Sequence, residues 1–153
     1  MHIILALHNI IRWLILIFAL ITIFSSAGGM GGKKTFTAGN KRNALFLLIS
    51  CDLQLLLGFI LYFGNGWWGV LTSGTGYMKN TAQRFFTIEH NVAMIIAIIL
   101  IHIGYSGIKK KIADSAKFKR LFWFTLIALI IILASIPWPF RTEIARPWFP
   151  GMS

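Results

Sequence analysis

The chain has 153 residues, of which 57% are hydrophobic and 12% charged, with a mean hydropathy of +0.75. Soluble domains carry roughly 25% charged residues, so this composition excludes an ordinary soluble fold and places the chain in a membrane. The formal net charge is +11, but the basic residues lie in short loops between apolar runs, which reads as topology and attraction to anionic lipid rather than a nucleic-acid surface.

The first apolar run, residues 3–24, is long enough to span a bilayer at 1.5 Å of rise per residue. It has no basic segment before it and bears His8 and Arg12, so it is expected to be a mature helix and not a cleaved signal peptide. The glycine-rich SSAGGMGG that follows ends it. A second span is expected over residues 43–63, NALFLLISCDLQLLLGFILYF, with Asp52 and Gln54 near its middle. Cys51, the single cysteine, has no internal partner and reads as a small apolar core residue. Residues 64–83 form the longest connection, with Trp67 and Trp68 expected at the membrane surface.

The third span, residues 84–107, reads RFFTIEHNVAMIIAIILIHIGYSG. It holds Glu89, His90 and Asn91 near one end and His102 near the other. Ionisable residues in a spanning helix are costly and therefore mark functional candidates. A lysine-rich loop leads to a fourth span over residues 121–136, short for a spanning helix and with room to extend a few residues back into that loop, stopped by Pro137 and Pro139. Residues 137–153 are expected to lie along the surface as an irregular arm.

These four spans predict an all-α integral membrane protein forming one domain, an antiparallel four-helix transmembrane bundle. Ten basic residues flank the spans on one side, from Lys33 to Arg42 and from Lys109 to Arg120. Four lie on the other: Lys79, Arg84, Arg141 and Arg146. That bias puts the first side in the cytoplasm and both termini in the periplasm of a bacterial inner membrane.

Helical rise places His8 and His90 each roughly 7 to 8 Å below the same face of the membrane. Two imidazoles at one level on two helices are what the iron of a bis-histidine haem requires. Arg12 follows His8 by four residues and shares its face. It is a candidate to pair with a haem propionate. Glu89 or Asn91 could fix the tautomer of a ligand imidazole. Packing histidines, and an Arg12–Asp52 or Arg12–Glu89 ion pair, account for the same residues, and a bridging Arg12 touching both a carboxylate and the haem edge is the expected compromise. His102 lies about 18 Å along the helix from His90, too far to share an iron. It is expected to hydrogen-bond a neighbouring helix or a headgroup. The chain has no Cys-x-x-Cys-His, Walker or dinucleotide motif.

Taken together, His8 with Arg12 and Trp13, the CDLQLLLGFILYF second span, RFFTIEH, HIGYS and ILASIPWP resemble small bacterial four-helix membrane proteins of the cytochrome b-like kind. The resemblance covers most of the chain. It implies a b-type haem protein with one non-covalent haem b, His8 and His90 as axial ligands, and electron transfer rather than stand-alone enzymatic activity. Its partners would be quinone, a membrane-protein partner or a second copy. The larger two-haem cytochromes b stack two histidine pairs, and this chain has only one such pair. Two other readings share the sequence: a cofactor-free accessory subunit of a larger membrane complex, and a proton path through Asp52, Gln54, Arg12, Glu89 and His102.

Overall fold

The computed structural model describes residues 1–151. Four of its helical segments are long and apolar enough to cross a membrane: His2–Ala27, Ala38–Gly64, Thr81–Gly107 and Asp114–Ser135. No strand occurs among the described residues. Helix α1 is His2–Ala27, α2 is Ala38–Gly64, and a short α3 covers Trp67–Thr72. A 3-10 turn at Gly76–Lys79 leads into α4, Thr81–Arg84. A π turn, Phe85–Glu89, joins α4 to α5, His90–Ile108, and α6 is Asp114–Ser135.

α1 and α5 each pack against both α2 and α6, so the four long helices close a ring with α1 and α5 on opposite sides. Along α1 the buried residues are Arg12, Ile15, Leu16, Ala19, Thr22, Ile23 and Ser26, a stripe at three- and four-residue spacing. Leu7, Ile10, Leu14, Ile17 and Phe24 on its other face stay exposed. A helix apolar on all sides but buried on one suits lipid on the other. The inner stripes meet in a core of Ile15, Leu47, Ala97, Ile101, Ala128 and Leu129 among others. Small residues let backbones approach closely: Ala97 and Ala128 are fully buried, and a side chain added at Gly104 would meet Phe124 Cβ at 3.0 Å.

The helix ends differ from the sequence expectation in ways the local chemistry explains. α2 begins at Ala38 because Thr37 caps it, its hydroxyl accepting from the Asn40 amide and the Asn40 side chain accepting from Thr37. α6 begins at Asp114, seven residues before the expected Leu121. Asp114 sits in the first turn, where the positive end of the helix dipole stabilises negative charge. Its carboxylate also accepts from the Phe36 amide and Lys117. The basic stretch Lys117–Arg120 is therefore helix, not loop. The long connection is also ordered, with Trp67 stacked on Phe86 at 5.6 Å between ring centroids.

The C-terminal arm is irregular and largely exposed, and it folds back onto α1. The Trp148 carbonyl accepts from Arg12 and from the Trp13 indole, and the Pro147 carbonyl from Asn9. Trp138, Trp148 and Phe149 gather around Trp13. Met152 and Ser153, the last two residues of the expected arm, lie outside the described residues.

Candidate functional site

A cavity of about 800 Å³ opens where α1 begins, α2 ends, α5 begins and α6 ends. Ligand pockets typically measure roughly 300 to 1,000 Å³. Its walls are mostly apolar, with Ile15, Leu55, Met94, Ile98, Ile132 and Ile136 among them. His8 and His90 line it from opposite sides of the ring, and Asn9, Arg12, Gln54, Thr87, Asn91 and Arg146 supply most of its polar groups.

The imidazole centroids of His8 and His90 are 6.4 Å apart, with the rings at 62°. A metal–imidazole bond is about 2 Å, so two nitrogens on opposite sides of one ion lie about 4 Å apart and their ring centroids about 6 Å apart. The observed spacing is close to that of two imidazoles that would hold one metal between them.

The orientation of His90 originates in α6. An α-helical carbonyl is normally paired by the amide four residues later. Ser135 is the last residue of α6, and Ile136 before Pro137 is extended, so this carbonyl has no intrahelical partner. The freed Ser135 carbonyl instead faces His90 Nδ1 at 2.8 Å. A carbonyl can only accept, so Nδ1 carries the hydrogen and Nε2 of the neutral ring keeps its lone pair. Pro137 has no N–H to pair the Leu133 carbonyl, which accepts from the Trp138 indole at 2.8 Å. Arg141 covers the Ala134 and Ile136 carbonyls.

The π turn sets the approach of α5. Its widened backbone leaves the carbonyls of Phe86 and Thr87 within reach of the Asn91 side chain, at 2.7 and 3.2 Å. Such turns recur at functional sites because they rotate the following residues off the regular helical face. On α1, the Gln54 amide donates to the His8 carbonyl at 2.9 Å, tying α2 to the turn that carries His8.

Arg12 is buried, with 8% of its surface exposed. It donates to Asn9 Oδ1 at 2.6 Å and to the Trp148 carbonyl at 2.8 Å, and lies against the Trp13 and Trp138 rings. The anticipated carboxylate partners are engaged elsewhere. Glu89 pairs with Arg84 outside the bundle, and Asp52 faces His102 Nε2 at 3.3 Å. The expected ion pair of Arg12, and with it the bridging role between carboxylate and haem, is therefore corrected: neutral oxygens and aromatic faces hold the guanidinium. Glu89 likewise partners neither His8 nor His90, and the Asn91 amide serves the π turn instead of an imidazole.

Five buried side-chain polar atoms have no hydrogen-bond partner among the described residues, and four belong to cavity-lining residues: His8 Nδ1, Arg12 Nε, Gln54 Oε1 and Thr87 Oγ1. Unsatisfied buried groups are costly and few, and their concentration here marks the cavity as the polar focus of the bundle. No group of three or more His, Cys, Asp or Glu residues that could hold a bare metal ion occurs among the described residues. Two histidines suffice only for a metal whose other ligands come with it, as a porphyrin supplies them. The residues present fit a haem: two imidazoles 6.4 Å apart, mostly apolar walls, and the cations Arg12 and Arg146 among the lining residues.

Sequence spacing missed several of these parts. Asn9 could have been found as the residue beside His8 and three before Arg12. The free Ser135 carbonyl was signalled only by the proline stop that follows the fourth span. Arg146 and Trp148 lie in a non-periodic tail, where nothing local fixes their position. Comparisons with protein-family models, curated proteins and solved structures return no match.

Proposed function

We propose that this chain is a b-type haem protein of the bacterial inner membrane that carries single electrons. Its helices would run antiparallel with both termini in the periplasm, and it would work beside a membrane-protein partner or a second copy. The single observation that carries this reading is the placement of His8 and His90, 6.4 Å apart across an apolar cavity. When bound, the haem would supply a reversible one-electron couple.

The chain's own residues divide the remaining work. His8 and His90 would ligate from opposite sides. The Ser135 carbonyl holds His90 with Nε2 available. Arg12 and Arg146 would meet the propionates at the polar end. Met94, Ile98, Ile132 and Ile136 exclude water, which helps set the potential.

The test is haem content per chain in protein purified from haem-replete cells. One haem per chain is expected, falling below about a tenth of that in His8→Ala and His90→Ala variants that still purify as folded helical protein. A folded, colourless wild-type preparation would instead favour a cofactor-free accessory subunit.

A further inference from the structure

A second hollow, of about 560 Å³, lies at the end of the bundle opposite the cavity. It sits where α2 begins and where residues 109–113 carry the chain from α5 into α6. Phe36, Ala38 and Ile108 supply its apolar lining. Lys41, Lys109, Lys110, Lys111 and Lys117 line the rest with Thr37, and no carboxylate does. One acid holds the walls together. Asp114 accepts from the Phe36 amide through Oδ2 at 2.9 Å and from Lys117 Nζ through Oδ1 at 3.2 Å. It thereby ties the segment before α2 to the first turn of α6. The Phe36 ring also packs on Phe118, 5.1 Å between centroids.

Both oxygens of Asp114 are thus engaged, and of the five lysines only Lys117 has a carboxylate. The chain has four acidic side chains in all, and the other three are placed elsewhere. Asp52 faces His102 midway along α2, and Glu89 pairs with Arg84 before α5. Glu143 follows α6, whose 22 residues put it about 33 Å away along the bundle. Lys109 rests over the Tyr105 ring. Lys41, Lys110 and Lys111 have neither a hydrogen-bonded nor an aromatic partner among the described residues. Like charges gathered around one hollow repel one another, so an anion from outside the chain is what completes it. The amides of Ala38 and Gly39, first in α2, precede any carbonyl that could pair them within the helix, and they add two donors beside the lysines.

We propose that this hollow binds the phosphate headgroup of an anionic phospholipid. Ammonium groups and free helix-start amides both donate to phosphate oxygens. The hollow joins the last residue of α5 to the first of α2, where two spanning helices end, so it lies at the height of the headgroups. Phe36 and Ile108 beside the lysines suit the glycerol and first acyl carbons, which a free phosphate ion lacks. Basic loops alone give diffuse attraction along a membrane surface. A lined hollow gives a site with a stoichiometry, and it makes no use of haem.

Native mass spectrometry of the full chain, delipidated in a neutral detergent and titrated with phosphatidylglycerol, tests this. One phosphatidylglycerol per chain is expected to bind about tenfold or more tightly than phosphatidylcholine. Lys41→Gln with Lys110→Gln and Lys111→Gln removes three lysines that hold no contact in the fold, and that preference should fall about tenfold or more. Lys33→Gln with Lys34→Gln and Lys119→Gln removes the same charge from exposed positions outside the hollow, and should change it less than about twofold. A second measurement needs no variant. In the wild-type chain, phosphatidylglycerol should protect Lys41, Lys110 and Lys111 from acetylation and leave Lys33, Lys34 and Lys119 reactive. Equal loss of binding in the two triple variants would overturn the proposal, as would equal protection of all six lysines. So would displacement of the lipid by excess inorganic phosphate at constant ionic strength, which would assign the hollow to the free ion.

Discussion

At the residue scale, the stop at Pro137 leaves Ser135 as the last residue of α6, with its carbonyl free of an intrahelical partner and able to orient His90. Replacing Pro137 and Pro139 together with alanine is expected to extend α6 by a turn and reclaim that carbonyl for the 139 amide. Haem affinity should then fall about 10- to 100-fold, the usual effect of losing a group that orients a metal ligand. Haem transfer to an apo-globin acceptor measures it. Arg12 offers a second test. Arg12→Leu removes two hydrogen bonds from a charged group, each worth about 1.5 to 3 kcal/mol, and strands no carboxylate. Folding should survive, the arm over residues 141–151 should become protease-sensitive, and the haem midpoint potential should fall, because a nearby positive charge favours the reduced form. Potentiometric titration with limited proteolysis reads both effects. The level match of the two histidines was legible from helical rise alone. The environment of Arg12 was not, because its partners are a backbone carbonyl 136 residues away in sequence and aromatic faces.

At the scale of elements, the π turn Phe85–Glu89 decides how α5 approaches the cavity. Asn91 is its clasp, holding the Phe86 and Thr87 carbonyls. Asn91→Leu leaves both without that donor in a partly buried position, a loss of about 1 to 3 kcal/mol. At about 2 to 4 °C per kcal/mol for a chain of this size, the thermal midpoint in detergent should drop several degrees. Circular dichroism with temperature checks this. The π turn itself was not readable in RFFTIEH, since its residues fit a regular helix equally well. The spans were readable because twenty apolar residues have few alternatives. The early start of α6 was obscured by hydropathy, which sees lysines at 117 and 119 as loop although lysine is a good helix former.

For the whole molecule, the ring of α1, α2, α5 and α6 places the two histidines on opposing helices with a cavity between them. In the proposed topology, the charge bias of the loops would orient that cavity toward the periplasm. In a Cys51→Ala background, Thr75→Cys should react with a membrane-impermeant maleimide on intact spheroplasts, and Lys110→Cys only after permeabilisation. The opposite pattern would reverse the topology. Composition revealed the membrane and the helix count because the hydrophobic effect acts on long runs. The cavity needed coordinates, because it is formed by residues from α1, α2, α5, α6 and the tail. The central claim is that His8 and His90 ligate one haem from opposite sides, and the reduced-minus-oxidised visible spectrum of the purified chain tests it most directly. A low-spin, six-coordinate b-type spectrum is expected, converting to high-spin or vanishing in His90→Ala and returning on addition of imidazole. A low-spin spectrum unchanged in both His8→Ala and His90→Ala would contradict it.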